Sequence, residues 1–248
     1  MPPIPTPDAS SNAVKPSRAS DEPHAGLPPL LDYGALTPFE RIQHAYAACE
    51  GRVILTTSGG ETSAVMPHLM AKAIGHMEFP LVFVDHGFYT SATYRMIEYF
   101  REAGHNLKVY RSTLTPGEVE RDYSGWCDPR SALFSTVVRK IKHAPLNQAF
   151  AELAPRAWVR GIMRHETPER RAADFVQLKN GVYQIHPILD WTRDDILAYL
   201  AAHDLPINAD HWDPTKGRDQ RGECLIGDNC GLVSTSTAPA TPRRGRAA

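Results

Sequence analysis

The chain has 248 residues, 42 % of them hydrophobic and 22 % charged, with a formal net charge of −1; this suits one α/β domain with a sizeable core and supplies no overall basic field for nucleic acid. No run of about 18 apolar residues is present to span a membrane, and no apolar segment follows the first residues as a secretory signal would. The four cysteines, Cys49, Cys127, Cys224 and Cys230, are too few and too scattered for a disulfide scaffold, so a reducing cytoplasm is the expected setting.

Eight of the 21 prolines fall within the first thirty residues, among Ser, Ala, Asp and Asn. Such a stretch has little apolar surface to offset its ordering entropy, and residues 1–30 read as a disordered tail. Residues 233–248, with Arg243, Arg244 and Arg246 among small polar residues, read as a second, basic one. The working domain is then 31–232. Within it, Thr37-Pro38-Phe39-Glu40 has the form of a capping box and opens a helix through about Ala48. Arg52–Thr56 is a β-branched strand, followed by Ser58-Gly59-Gly60 and a helix from Thr62. Pro67 falls in the second turn of that helix, which predicts a kink or a later start. Leu81–Val84 is a strand ending in Asp85-His86-Gly87. Thr90 to Gly104 has helical spacing, Leu107–Tyr110 and Ala157–Arg160 are strands, and Asn180-Gly181 joins residues 175–178 to 182–185 as a hairpin. Thr192 caps a helix through about Ala202. Strands alternating with helices over short connections predict an α/β fold: an open, mostly parallel twisted sheet with helices on both faces.

Ser58-Gly59-Gly60-Glu61-Thr62-Ser63 lies at the carboxyl end of the first strand, where open α/β sheets bind ligands. Two glycines let the backbone turn and approach an anion. The amides at the helix start, with the Ser58, Thr62 and Ser63 hydroxyls, supply donors for phosphate or pyrophosphate. The loop lacks the Gly-Lys-Ser/Thr ending of a Walker A motif, and a plain Gly-Gly turn with a serine cap is its alternative reading. Asp85 ends a buried-type strand, a place that ordinarily faces a ligand crevice rather than a core.

Six segments, in order, resemble the phosphoadenosine-phosphosulfate (PAPS) reductase family, within the adenine-nucleotide α-hydrolase-like (PP-loop) superfamily. They are Ser58-Gly59-Gly60 with Ala64-Val65-Met66; Val84-Asp85-His86-Gly87-Phe88 followed by Thr93-Tyr94; Leu107–Arg111; Arg139–Phe150; Gly161–Arg170; and His186–Trp191 with Asp194-Asp195-Ile196 behind it. Together they cover about residues 50–205. The resemblance implies a Rossmann-type sheet with an adenine nucleotide across its carboxyl ends. Ser58, Gly59, Gly60, Thr62 and Ser63 would hold phosphates, Asp85 and Gly87 would sit near the adenosine, and Arg164 and Arg170 would meet the phosphosulfate as forked donors. For the arginines, an exposed basic helix start shared with Arg171 is the alternative. Two positions depart from the family pattern. Met163 replaces the first arginine, and Glu166 replaces a glutamine, where a carboxylate repels sulfate unless it is turned away or neutralised. Ser-Gly-Gly is also the loop of the ATP-pyrophosphatase branch. That keeps open an ATP-using enzyme with Mg²⁺ near Glu61 and Asp85, and a nucleotide-binding protein without reductase chemistry.

Adenylyl-sulfate reductases of the family hold an iron–sulfur cluster on an adjacent cysteine pair and a later Cys-x-x-Cys. In register with Arg139–Leu146 that pair falls on Val137-Val138, which cannot ligate iron, so no cluster is expected and PAPS is the implied substrate. The family nucleophile lies in Glu-Cys-Gly-Leu-His; Cys230-Gly231-Leu232 matches three of these positions and Glu223-Cys224 two, which makes Cys230 the catalytic candidate. A degenerate metal-ligand pair with His211 nearby, or unreactive thiols, are the alternatives. The implied reaction converts PAPS to sulfite and adenosine 3′,5′-bisphosphate through a cysteine S-sulfonate, with thioredoxin or glutaredoxin as reductant. It implies sulfate assimilation, no bound cofactor, no nucleic-acid or membrane partner, and leaves room for a homodimer.

Overall fold

The computed structural model describes residues 32–216, so the expectations for the two tails and for Cys224 and Cys230 lie outside the described residues. Helix α1 (Pro38–Ala48) starts as its sequence requires: Thr37 accepts the Glu40 N–H, and the Glu40 carboxylate takes the Thr37 N–H at 2.7 Å. Strands β1 (Val53–Thr57), β2 (Leu81–Asp85), β3 (Leu107–Arg111), β4 (Ala157–Val159), β5 (Val176–Lys179) and β6 (Val182–Ile185) form one sheet in the order β3-β2-β1-β4-β6-β5. All neighbours pair in parallel except β5 and β6. That antiparallel hairpin turns through Asn180 and Gly181, both at positive φ, the geometry that Asn-Gly supplies in a two-residue turn.

The remaining helices are α2 (Val65–Ile74), α3 (Ser91–Glu102), α4 (Pro116–Asp122), α5 (Ala132–Val138), α6 (Ala144–Leu153), α7 (Pro168–Arg171) and α8 (Arg193–Ala202). Strand side chains alternate between two cores. Val53, Leu55, Leu81, Phe83, Val159 and Ile185 pack with α1, α2, α3 and α8. Ile54, Val82, Val84 and Trp158 meet Leu146, Ala149 and Phe150 of α6 on the other face. Among the described residues no helix is long and apolar enough to cross a membrane.

Two local features position the site. Helix α2 begins at Val65, after a turn over residues 61–64. Pro67 therefore falls in the first turn, where its missing N–H has no intrahelical partner to lose. The start is the later one of the two outcomes expected from Pro67. Between α5 and α6 the chain makes a π turn over Arg139–His143. Pro145 can offer no N–H to the Ile141 carbonyl and crowds it, and the widened turn removes that conflict while turning Lys142 inward, 9 % exposed.

Candidate active site

β1 lies between β2 and β4, the point where the strand order reverses, and such a point opens a crevice at the carboxyl ends of the strands. A cleft of about 760 Å³ occupies it. Its floor is the loop after β1. Gly59 sits at φ +64°, and a Cβ there would lie 2.8 Å from Thr93 Cγ2, so both backbone and packing require glycine. Asn208 clamps the loop from 149 residues away: its Nδ2 donates to the Gly59 carbonyl at 2.6 Å and its N–H to the Glu61 carbonyl at 3.2 Å. Gly60 is ringed by side chains: a Cβ there would lie 3.3 Å from Ser58 Oγ, 3.5 Å from Ser63 Oγ and 3.6 Å from His211 Cδ2.

Around this floor the cleft is lined by Lys142, Arg160, Arg170, Arg193 and Lys216, against the carboxylates Glu61 and Glu166. Each carboxylate is paired. Arg193 Nη2 donates to Glu61 at 2.5 Å, and Glu166 takes both the Arg170 guanidinium and the Met163 N–H, the latter at 2.8 Å. The repulsion expected from a glutamate at position 166 is thus neutralised within the site.

Behind the lining lies a buried polar cluster. Lys142 Nζ donates to Asp213 at 2.8 Å and to Thr215 Oγ1 at 2.7 Å; the Thr215 hydroxyl and N–H both donate to Asp213 Oδ1, and His86 Nε2 lies 3.3 Å from that oxygen. Asp213 is wholly buried. Burial alone would raise its carboxyl, but Lys142 and His86 outweigh that and hold it well below the usual carboxylate range.

Of the residues expected at the site, Ser58, Gly60, Thr62, Ser63 and Arg170 line the cleft, and Gly59 shapes its floor. Asp85, Gly87 and Arg164 are not among the lining residues. Asp85 accepts from Gly87 N–H at 3.0 Å and from the Tyr94 hydroxyl at 2.8 Å, and lies 3.4 Å from Arg111 Nε, so its oxygens are already engaged. Gly87, at φ +80°, has Pro116 Cγ 2.8 Å from a would-be Cβ, so a tight turn under α4 explains it without a ligand. The Arg164 guanidinium lies 5.1 Å from the centroid of the Phe175 ring instead of entering the cleft. Val137 and Val138 are buried in an apolar cluster with Trp126, Phe134 and Ile141.

Sequence reasoning missed Arg160, Lys142 and the segment 208–216, of which it named only His211, as a metal-ligand alternative. For Arg160 the signal was present: it ends the apolar run Ala157-Trp158-Val159, the same placement that singled out Asp85. Lys142 stands in the mixed basic run RKIKH, and because that run is a π turn no 3.6-residue period could say which cation points inward. Asn208, His211, Asp213 and Lys216 follow the last helix in no recognisable motif.

Comparison with known proteins agrees with this geometry. A family model described as phosphoadenosine phosphosulfate reductase domain matches residues 52–210. Proteins named phosphoadenosine 5′-phosphosulfate reductase are similar in sequence: one from Synechococcus sp. is 36 % identical over 169 residues, covering 67 % of this chain and 72 % of its own, and one from Alkalilimnicola ehrlichii is 32 % identical over 170 residues, covering 68 % and 69 %. The crystal structure of phosphoadenylyl-sulfate reductase from Candida auris, a phosphate complex, superposes with a TM-score of 0.61 at 19 % identity, over 71 % of this chain and 84 % of that one, and shares its fold.

Proposed function

The chain belongs to the phosphoadenosine phosphosulfate reductase family, and from that premise we propose that its cleft binds PAPS and that the protein reduces it to sulfite in sulfate assimilation. The observation that carries the reading is the convergence of a glycine- and hydroxyl-lined loop with Lys142, Arg160, Arg170, Arg193 and Lys216 at the carboxyl end of β1. A nucleotide bearing a phosphosulfate and a 3′-phosphate is a polyanion, and planar guanidinium forks suit its oxygens. Met66, Ile162, Ile188 and Ile196 add an apolar wall against which an adenine can lie.

In the reaction, the Cys230 thiolate attacks the sulfonate sulfur. A sulfur–sulfur bond forms as the sulfur–oxygen bond to phosphate breaks, and the electron pair leaves with adenosine 3′,5′-bisphosphate. A dithiol of the thioredoxin or glutaredoxin type then supplies two electrons, becoming a disulfide while sulfite departs and the Cys230 thiol is restored. The setting is a reducing cytoplasm, and no cluster takes part in these steps. The ATP-using alternative is less well supported, because Glu61 and Asp85, the carboxylates it would give to Mg²⁺, are committed to Arg193 and to Tyr94 and Arg111.

The test is incubation with PAPS, adenylyl sulfate or ATP plus reduced thioredoxin, with sulfite and pyrophosphate both measured. Sulfite from PAPS, and a sulfonate mass on the Cys230 peptide when reductant is withheld, are expected. An adduct on Cys224 moves the nucleophile and keeps the chemistry; pyrophosphate from ATP without sulfite from either sulfonucleotide replaces the reductase reading.

A further inference from the structure

His211 lies on the segment after α8, and the hydrogen bonds around it determine which of its nitrogens carries the proton. Thr90 Oγ1 donates to the Asp210 carbonyl at 2.6 Å, so its proton is spent. Thr93 Oγ1 accepts from Asn208 Nδ2 at 3.2 Å and has its own proton to place. Of its two possible acceptors, Thr90 Oγ1 is the more distant at 3.3 Å and His211 Nδ1 the nearer at 3.1 Å. The Thr93 hydroxyl therefore donates to Nδ1, and the imidazole proton sits on Nε2.

That nitrogen has been left with nothing to do. His211 Nε2 is buried and has no partner among the described residues. It belongs to a ring that lines the cleft, and the adjoining Cδ2 is 3.6 Å from where a Gly60 Cβ would stand, directly over the glycine floor. A buried donor without an acceptor is costly, and the ring that carries this one lines the cleft beside Gly60.

We propose that His211 binds and positions the substrate, its Nε2–H donating to an oxygen of the phosphate-type group seated on the loop of residues 58–63. The inference rests on the reading of the cleft as a PAPS site and adds to it a residue outside the loop and arginine motifs. Burial, together with the nearby Lys216, lowers the imidazole to about 4, so the ring is neutral and acts as a directed donor rather than as one more charge. The same ring sits three residues after Asn208, which holds the Gly59 carbonyl, so an occupied loop is bonded to the 208–211 segment on both of its sides.

Imidazole nitrogen NMR on the full chain at neutral pH tests the tautomer, and calorimetric titration tests the contact. The wild type is expected to show a neutral Nε2–H ring whose Nε2 resonance moves when PAPS is added. His211→Phe keeps a ring of similar shape and is expected to weaken PAPS binding about tenfold or more, while adenosine, which lacks phosphate, binds both proteins alike. His211→Gln, whose amide nitrogen reaches the place of Nε2, is expected to bind within about threefold of wild type. An Nδ1–H tautomer, an Nε2 resonance unmoved by bound PAPS, or wild-type affinity in His211→Phe would each overturn the role of His211 while leaving the PAPS site standing. A wild type that binds no adenine nucleotide overturns both.

Discussion

Gly59 is held at φ +64° against Thr93, whereas its neighbour Gly60 lies outside the positive-φ region and has only the side chains of Ser58, Ser63 and His211 near a would-be Cβ. The two glycines should therefore fail in different assays. Gly59→Ala is expected to cost about 1–3 kcal/mol of stability, seen as a lower urea midpoint at unchanged slope. Gly60→Val should lower the midpoint less than Gly59→Ala does and abolish PAPS binding, because its branches crowd Ser58, Ser63 and His211 where the anion must approach; retained affinity would remove the loop from the site. Asp213 gives a prediction with a sign. Its folded carboxyl titrates well below the ordinary value of 3.8, so the stability it contributes is complete above that value and drains away as pH falls below it toward the folded one. Asp213→Asn should remove this acid-side loss. At neutral pH it should also cost about 3–5 kcal/mol by leaving Lys142 buried without its counter-charge, with part recovered when Lys142→Met is added. Residue by residue, the loop was legible because glycines and hydroxyls after a strand have few other uses. Asp85 and Arg164 were not, because neither spacing nor composition tells toward which side of a strand end or helix start a long polar side chain turns.

The elements were legible where local chemistry alone decides them: capping boxes at Thr37 and Thr192, apolar runs for β1 and β2, Asn-Gly for the β5–β6 turn. They were illegible where tertiary packing decides, as at the π turn before Pro145 and the short helix α7, whereas α4 went unread although Thr115 and Glu118 form a capping box of the same kind. One element-level tie was invisible in sequence. Arg41 of α1, 1 % exposed, donates to the carbonyls of Tyr33 and Pro187 at 2.8 and 2.7 Å and to both oxygens of Asp190, with its guanidinium 3.8 Å from the Phe175 ring centroid. It joins the first helix to the segment leading into α8. Arg41→Ala should cost about 3 kcal/mol or more, since two buried carbonyls lose their donor. Arg41→Lys should recover only a minor part, a lysine being unable to meet the Asp190 carboxylate as a fork. Thermal unfolding of the three proteins side by side distinguishes these outcomes.

At the scale of the whole molecule, a net charge of −1 conceals a cleft with an excess of cations: Lys142, Arg160, Arg170, Arg193 and Lys216 outnumber the carboxylates Glu61 and Glu166 of its lining and Asp213 behind it. PAPS binding should therefore weaken several-fold between about 0.05 and 0.5 M salt, as the Debye length contracts, while adenosine binding stays level. Equal salt dependence for the two ligands would mean that the cations do not hold the phosphates. The sheet order could be anticipated as a class from alternating strands and helices, but the cleft could not, since its parts lie far apart along the chain: Asn208 is 149 residues from Gly59, and Asp213 is 71 from Lys142. That separation bears on biosynthesis. A ribosome delivers Lys142 well before Asp213, and during that interval the lysine cannot settle into the interior without an unmatched charge. The nascent domain is thereby kept from sealing its centre until the segment after α8 has emerged. A chain terminated prematurely ahead of Asp213 should then remain sensitive to proteases across α5 and α6, whereas one extended past Thr215 should resist them.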